Sequence, residues 1–98
     1  MQQTKLTQAA RGRKCQVRIP GVCNGNPETT VLAHYRMAGT CGVGIKPNDL
    51  QGAWACSACH DACDGRRSDI GHSEVRQYHA EGVMRTQVVL LREGLVSV

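Results

Sequence analysis

The sequence predicts a small α+β domain that is held together by a bound metal ion and completed by a C-terminal helix. The chain has 98 residues, which fits a single domain over 1–98. It contains no Phe, one Trp and two Tyr, so its aromatic core must be small and a metal ion would compensate. The pair Cys56-x2-Cys59 can present two sulfurs to one ion from a knuckle or the first turn of a helix.

The first part of the chain predicts a helix followed by a hairpin-like loop. Residues 4–11 favour a short helix that Thr4 caps and Gly12 ends. Residues 15–19 alternate between apolar and polar side chains and predict a short strand. The Pro-Gly turn that follows returns the chain to Cys23, so both ends of this loop are expected to lie close together.

The middle of the chain predicts two strands followed by a helix. Residues 29–33 are β-branched and apolar, and residues 49–55 are expected to form the second strand. The glycine-rich residues 37–48 between them predict a loop. A helix starting near Cys56 and extending over 61–67 completes a ββα unit.

A longer helix is predicted over about 73–93, after the core at about 11–67. One face of this helix carries apolar residues at helical spacing, which predicts that this face packs on the core. These residues are Ala80, Val83, Met84, Val88 and Leu91.

Four of the six cysteines form two pairs, Cys15-x7-Cys23 and Cys56-x2-Cys59, and predict a structural zinc site. Structural zinc takes four tetrahedral ligands, and thiolates serve well. Ligand pairs from a loop and from a helix start are typical of a treble clef. Cys41 and Cys63 remain, and are expected to be buried free thiols unless one of them replaces a member of the first pair.

The charge and the cysteine content limit which binding partners and which cellular compartment are expected. The net charge is +4, from twelve Lys+Arg and eight Asp+Glu, so only local clusters can argue for nucleic-acid binding. No signal peptide and no apolar run long enough for a membrane span are recognised, which predicts a cytoplasmic protein without a membrane partner. Cysteines in such a protein are expected to be ligands or reduced thiols. A secreted, disulfide-bonded domain is the alternative.

Two histidines and an asparagine carry a resemblance to a known family. His34 ends the first predicted strand, His60 directly follows the second cysteine pair, and Asn48 lies between them. Their order resembles the HNH endonucleases of the His-Me finger group, over about Arg11 to Arg67. The runs 9–24 and 55–61 look like the YbcO-like family of suspected nucleases in lambdoid prophages.

The resemblance implies a phage-type endonuclease that acts in the bacterial host and hydrolyses DNA, in preference to RNA, to 3′-hydroxyl and 5′-phosphate ends. It implies that His34 is the general base, that Asn48 orients it, and that His60 holds a catalytic Mg²⁺ or Mn²⁺. Many members place an Asp directly before the first His, where this chain has Ala33. Asp64, one helical turn after His60, is the expected replacement ligand.

Asn48 lies farther from the second cysteine pair than is usual in the family, and Asp49 competes with it for the orienting role. Six basic residues are candidates for phosphate contacts, with a solvated surface as the alternative. They are Arg11, Arg13, Lys14, Arg36, Arg66 and Arg67. His72 and His79 are expected to be surface or satisfied core residues. A rival function is a non-catalytic zinc module that binds nucleic acid or protein, which the missing acid at Ala33 favours.

Overall fold

The computed structural model describes residues 4–98, so the first three residues of the predicted domain lie outside the described range. Two short strands and three helices make up an α+β domain, in which two 3-10 turns, Pro27–Thr29 and Asp49–Gln51, precede the strands. The elements are α1 (Lys5–Ala9), β1 (Val31–His34), β2 (Gly52–Ala55), α2 (Ser57–Cys63) and α3 (His72–Arg92). No helix within residues 4–98 is long and apolar enough to cross a membrane.

The N-terminal helix is confirmed, and the strand predicted for residues 15–19 is wrong. Thr4 caps α1 by accepting a hydrogen bond from the Thr7 amide at 3.1 Å. Residues 15–19 form a loop instead, because Arg18 adopts a left-handed conformation with φ of 56°. Val17 and Ile19 are both buried, so this loop contributes side chains to the core without pairing in the sheet.

The two predicted strands pair as an antiparallel ribbon. Leu32 lies opposite Trp54, and His34 lies opposite Gly52. The ribbon continues for one more hydrogen bond, from the Tyr35 amide to the Gln51 carbonyl at 2.8 Å. β2 is followed at once by α2, so the predicted ββα order is observed. The start of the predicted 49–55 strand is a 3-10 turn.

The C-terminal helix is where expected, but only part of the face predicted to be buried packs on the core. Val83 contacts the core, whereas three other residues of this face are exposed. Met84, Val88 and Leu91 are 61%, 44% and 42% exposed. The buried positions are instead Val75, His79, Gly82, Thr86 and Leu90. Apolar periodicity failed here because α3 packs against main chain, which needs polar partners and small side chains.

Two contacts show how α3 lies on β2 and on the loop that carries Val17. The Thr86 hydroxyl donates to the Gly82 carbonyl at 2.8 Å and accepts from the Trp54 amide at 3.0 Å. A Cβ at Gly82 would lie 2.9 Å from Val17 Cγ2, so only glycine permits this close approach. The His79 ring bonds the Ala33 carbonyl at 2.9 Å, as expected for a satisfied core histidine.

The sheet separates two small cores. Leu32 and Trp54 pack with Ala10 and Leu90 on one side. On the other side, the small side chain of Ala33 lies among the residues around the cysteines. Besides the cysteines, the buried residues on this side are alanines, valines and one isoleucine, and the half-buried Ile70, Tyr78 and Val83 pack against them. The apolar burial on this side is therefore modest.

Candidate metal centre and nucleic-acid cleft

Cys15, Cys23, Cys56 and Cys59 come together, as their spacing predicts. Their sulfurs all lie within 4.8 Å of one another. The first two come from the loop that precedes β1, and the second two from the first turn of α2. Cys56 is the N-cap of α2, and its sulfur accepts a hydrogen bond from the Cys59 amide at 3.4 Å. The four cysteines are therefore close enough to bind a metal ion.

The geometry of the cluster suits a tetrahedral thiolate site. Zn–S bonds of about 2.3 Å place tetrahedral sulfurs about 3.8 Å apart, and the Cys23 and Cys56 sulfurs are 3.8 Å apart. The Asn24 amide also donates to the Cys56 sulfur, at 3.4 Å. A hydrogen bond with Cys59 lowers the pKa of the Cys15 thiol to about 4, and the same bond raises the pKa of the Cys59 thiol. The Asn24 hydrogen bond and the lowered pKa of Cys15 favour thiolates at Cys56 and Cys15, and the thiolate is the form in which cysteine binds metals.

The two remaining cysteines lie outside the cluster. Cys41 and Cys63 are each half-buried, so they are more accessible than the buried thiols that the sequence predicts. Burial, followed by the Asp64 charge, raises the pKa of the Cys63 thiol to about 12. Cys63 is therefore a neutral thiol at physiological pH, which gives it little nucleophilic character.

His34 lies at the end of β1 and is bonded to an acid. Its Nε2 is 2.7 Å from Asp49 Oδ1, while the other oxygen of Asp49 accepts from the Thr4 hydroxyl. The Thr4 hydrogen bond, and then the one to His34, lower the pKa of the Asp49 carboxyl. Asn48 does something different, because its Oδ1 accepts from the Leu50 amide at 2.9 Å and caps a 3-10 turn.

His60 and Asp64 lie one turn apart on α2 and its C-cap, and they contact each other. His60 Nε2 is 3.4 Å from Asp64 Oδ2. Ala33, which stands where many members of the resembled family have an acid, is 2% exposed and packs in the core. Within residues 4–98, the cysteine cluster is the only group of three or more potential ligands that lie this close together.

An open cleft of about 660 Å³ lies between the end of β1, the end of α2 and the start of α3. Its walls carry His34, Asp64 and three of the predicted arginines, together with residues that the sequence analysis did not select. The predicted arginines are Arg36, Arg66 and Arg67, and the additional polar residues are His72, Arg76 and His79. The cleft is therefore basic. No local pattern identifies Arg76, because it lies far from Arg36 in sequence and only the packing of α3 brings it there.

The charges in the cleft differ in how they are balanced. Arg66 lies 3.5 Å from an Asp61 carboxylate oxygen. Arg67 makes a two-pronged contact with Asp69, at 3.0 and 2.7 Å. Arg36 and Arg76 have no carboxylate partner among residues 4–98. Two cleft arginines thus remain unneutralised.

The N-terminal basic cluster lies away from the cleft. Arg13 binds the Glu93 carboxylate, with one contact of 2.6 Å, and stacks at 4.8 Å on the Trp54 ring. Glu93 follows the last residue of α3, whereas the cleft is at the first turns of this helix. The two ends of a helix of this length are about 30 Å apart. Lys14 borders a separate cavity of about 330 Å³ beside Cys15, and Arg11 is exposed.

Comparison with known proteins identifies relatives along most of the chain. Residues 4–95 match the family described as "Putative nuclease YbcO". A protein of that name from Escherichia coli (strain K12) is 57% identical over 92 residues, covering 94% of this chain and 96% of the relative. The protein of the same name from Enterobacteria phage 82 gives the same values. A solved structure described as "Structure of a putative bacteriophage protein from Escherichia coli str. K-12 substr. MG1655" superposes with a TM-score of 0.78 and 53% identity, covering 90% of this chain and 98% of that one.

Proposed function

Because the chain belongs to the family described as "Putative nuclease YbcO", we propose that it is a metal-dependent endonuclease that hydrolyses phosphodiester bonds. One observation carries this proposal beyond the family description. A single cleft unites His34, the acid Asp64 and four arginines. A base, a candidate ion ligand and a basic lining are the parts that phosphodiester hydrolysis needs.

In this proposal the cysteine cluster binds Zn²⁺ and has a structural role. Four thiolates close the coordination sphere, which is typical of structural zinc. The loop pair and the helix-start pair would make the core a treble clef, and the HNH-type site would lie on the same ββα unit. Zinc would supply the stability that the small apolar core around Ala33 and Ala53 lacks.

His34 is the proposed general base. If Nε2 donates its proton to Asp49, the free lone pair of the neutral ring is on Nδ1, and this atom accepts a proton from the attacking water. Asp49 stays ionised because its pKa is lowered by the Thr4 hydroxyl and then by His34, and it holds the ring in this tautomer. In our proposal, Asp49 takes the orienting role that the family resemblance assigns to Asn48.

His60 and Asp64 are the proposed ligands of the catalytic Mg²⁺ or Mn²⁺. Their donor atoms are 3.4 Å apart, which allows both to contact one ion. The two side chains offer one imidazole nitrogen and one carboxylate oxygen, and ions of this type keep several water ligands. When bound, the ion would polarise the phosphate and stabilise the leaving oxygen.

The proposed substrate is DNA in the bacterial cytoplasm, cut to 3′-hydroxyl and 5′-phosphate ends. Arg36, Arg66 and Arg67 would contact phosphates on either side of the scissile bond, since guanidinium groups bind phosphate oxygens through two parallel hydrogen bonds. Arg11, Arg13 and Lys14 would at most contact nucleic acid that extends beyond the cleft.

The test is incubation of zinc-loaded protein with plasmid and with RNA, in Mg²⁺ or Mn²⁺, beside two single variants. His34→Ala should lower the cleavage rate about 10²–10⁴-fold, the usual contribution of a general base, and leave ion affinity unchanged. His60→Ala should weaken the ion, so higher Mn²⁺ should restore part of its activity. Both variants should keep one zinc per chain. Equal rates for His34→Ala and wild type would show that the base lies elsewhere.

The second candidate function is a non-catalytic zinc module that binds nucleic acid. The observation that favours it is the buried Ala33, which leaves two side-chain ligands for a catalytic ion. Wild-type protein that binds DNA and cuts neither plasmid nor RNA in any divalent metal would establish the module and exclude the enzyme.

A further inference from the structure

Arg76 lies in the cleft and its guanidinium group is fixed by two contacts. It stacks on the ring of Tyr35, with 4.3 Å between the guanidinium carbon and the ring centroid. One of its terminal nitrogens donates to the Arg36 carbonyl at 3.0 Å. Both contacts are made to residues that directly follow His34 in the chain. The position of Arg76 is therefore tied to the position of His34.

Tyr35 is itself in contact with a second residue of α3. The His79 ring meets the Tyr35 ring edge to face, with 5.1 Å between centroids. His79 is anchored in turn by its 2.9 Å hydrogen bond to the Ala33 carbonyl. Arg76 and His79 are one turn apart on α3, and both contact Tyr35. The Arg76 side chain is therefore positioned by residues of the chain itself.

The charge of Arg76 is also available. Its stacking partner is neutral and its hydrogen-bond acceptor is a main-chain carbonyl. Arg66 and Arg67, by contrast, lie against Asp61 and Asp69. A guanidinium group has five N–H donors, and the contact with Arg36 uses one side of this fork. An anion in the cleft would find in Arg76 a preorganised, unneutralised donor.

We infer that Arg76, positioned by Tyr35 and the Arg36 carbonyl, is the principal phosphate-binding residue of the cleft and grips a backbone phosphate beside His34. This inference rests on the proposed function for its ligand class, a nucleic-acid phosphodiester. With this inference the site includes a residue of α3 in addition to those of the ββα unit. The aromatic ring of Tyr35 then serves to position Arg76.

The experiment measures binding of a fluorescent DNA oligonucleotide by anisotropy, at several salt concentrations, in the full zinc-loaded chain without Mg²⁺ or Mn²⁺. Arg76→Ala should weaken binding at least about tenfold and reduce the salt slope by about one, the signature of one lost phosphate contact. Arg76→Lys should recover only part of the affinity, because lysine lacks the planar fork. Arg92→Ala removes the same charge at the opposite end of α3 and should bind like wild type.

The Tyr35 variants test the positioning part of the inference. Tyr35→Phe keeps the ring face and should bind like wild type, whereas Tyr35→Leu should lose several-fold in affinity. Thermal melting of each variant checks that the fold is retained.

The outcomes separate this inference from the proposed function. If wild type cleaves DNA and Arg76→Ala binds and cleaves equally well with the same salt slope, the inference is overturned and the nuclease stands. If wild type binds DNA without cleaving it and Arg76→Ala binds weakly, the proposed nuclease activity is refuted and the role of Arg76 in phosphate binding is supported. Wild-type protein that binds no DNA at low salt overturns both.

Discussion

The buried hydroxyl of Thr86 provides a sharp test of how α3 is held on the sheet. Thr86 is fully buried, and its hydroxyl accepts a hydrogen bond from the Trp54 amide at 3.0 Å. Trp54 directs both main-chain groups away from β1, since its carbonyl accepts from the Gln16 amide at 2.6 Å. Thr86 is thus the partner of an amide that the two-stranded sheet leaves unpaired.

Thr86→Val keeps the volume of the side chain and removes this partner. An unsatisfied buried N–H costs about 1–3 kcal/mol, and the added methyl group returns somewhat less than about 1 kcal/mol by burial. The expected loss therefore lies between a few tenths of a kcal/mol and about 2 kcal/mol. The Gly82 carbonyl is spared, because it belongs to the regular hydrogen bonding of α3. For a domain of this size, each kcal/mol shifts the melting temperature by about 4–8 °C.

Urea unfolding at fixed zinc concentration measures the loss in unfolding free energy. Hydrogen exchange of the Trp54 amide shows whether this loss comes from its missing hydrogen-bond partner. Thr86→Ser is the matched control, since it keeps the hydroxyl and loses one methyl group. The Trp54 amide should exchange faster in Thr86→Val and stay protected in Thr86→Ser. A Thr86→Val variant that is as stable as wild type, with a protected Trp54 amide, would refute the role assigned to this hydroxyl.

Three further predictions concern other parts of the fold. Gly82→Ala should destabilise by about 1–3 kcal/mol in urea unfolding, because the new Cβ would overlap Val17; stabilisation by about 1 kcal/mol, as helix propensity alone predicts, would contradict the close packing. Cys59→Ser should lose bound zinc in metal analysis and unfold, because structural zinc contributes about as much as the whole stability of a small domain, whereas Cys63→Ser should keep one zinc per chain. Asp49, whose pKa is lowered from 3.8 in the folded state, stabilises the fold above that pH and loses this contribution as the pH falls through its folded pKa. Asp49→Asn should therefore be less stable than wild type at pH 7, and the difference should narrow as the pH is lowered towards the folded pKa of Asp49; a difference that stays constant would show that the charge is not responsible.

The sequence determined the features that depend on short spacing. The Cys56-x2-Cys59 pair predicts its own geometry, because two residues between ligands leave few ways to bring both sulfurs to one point. The contact of His60 with Asp64 follows from the helical repeat in the same way. The order of strands and helix also followed, since β-branched runs and a helix start are local signals.

Only the tertiary structure decided which face of α3 is buried and what lies in the cleft. Apolar periodicity selected Met84, Val88 and Leu91, because a sequence pattern registers hydrophobicity and not main-chain hydrogen bonding. The helix instead uses Gly82, whose small size permits close approach to Val17, and Thr86, whose hydroxyl accepts a hydrogen bond from the Trp54 amide that the two-stranded sheet leaves unpaired.

The same limit applies to the charges. The cluster at Arg13 looked like a phosphate site in sequence, yet Arg13 is paired with Glu93 from the far end of the chain. The sequence pattern did not select Arg76, yet the packing of α3 stacks its side chain on Tyr35, the residue next to His34. The partner of a long charged side chain is fixed by distant segments that meet only after folding. Residue type and local spacing therefore predicted the cluster of four cysteines, while the fold alone decided which arginines remain available in the cleft.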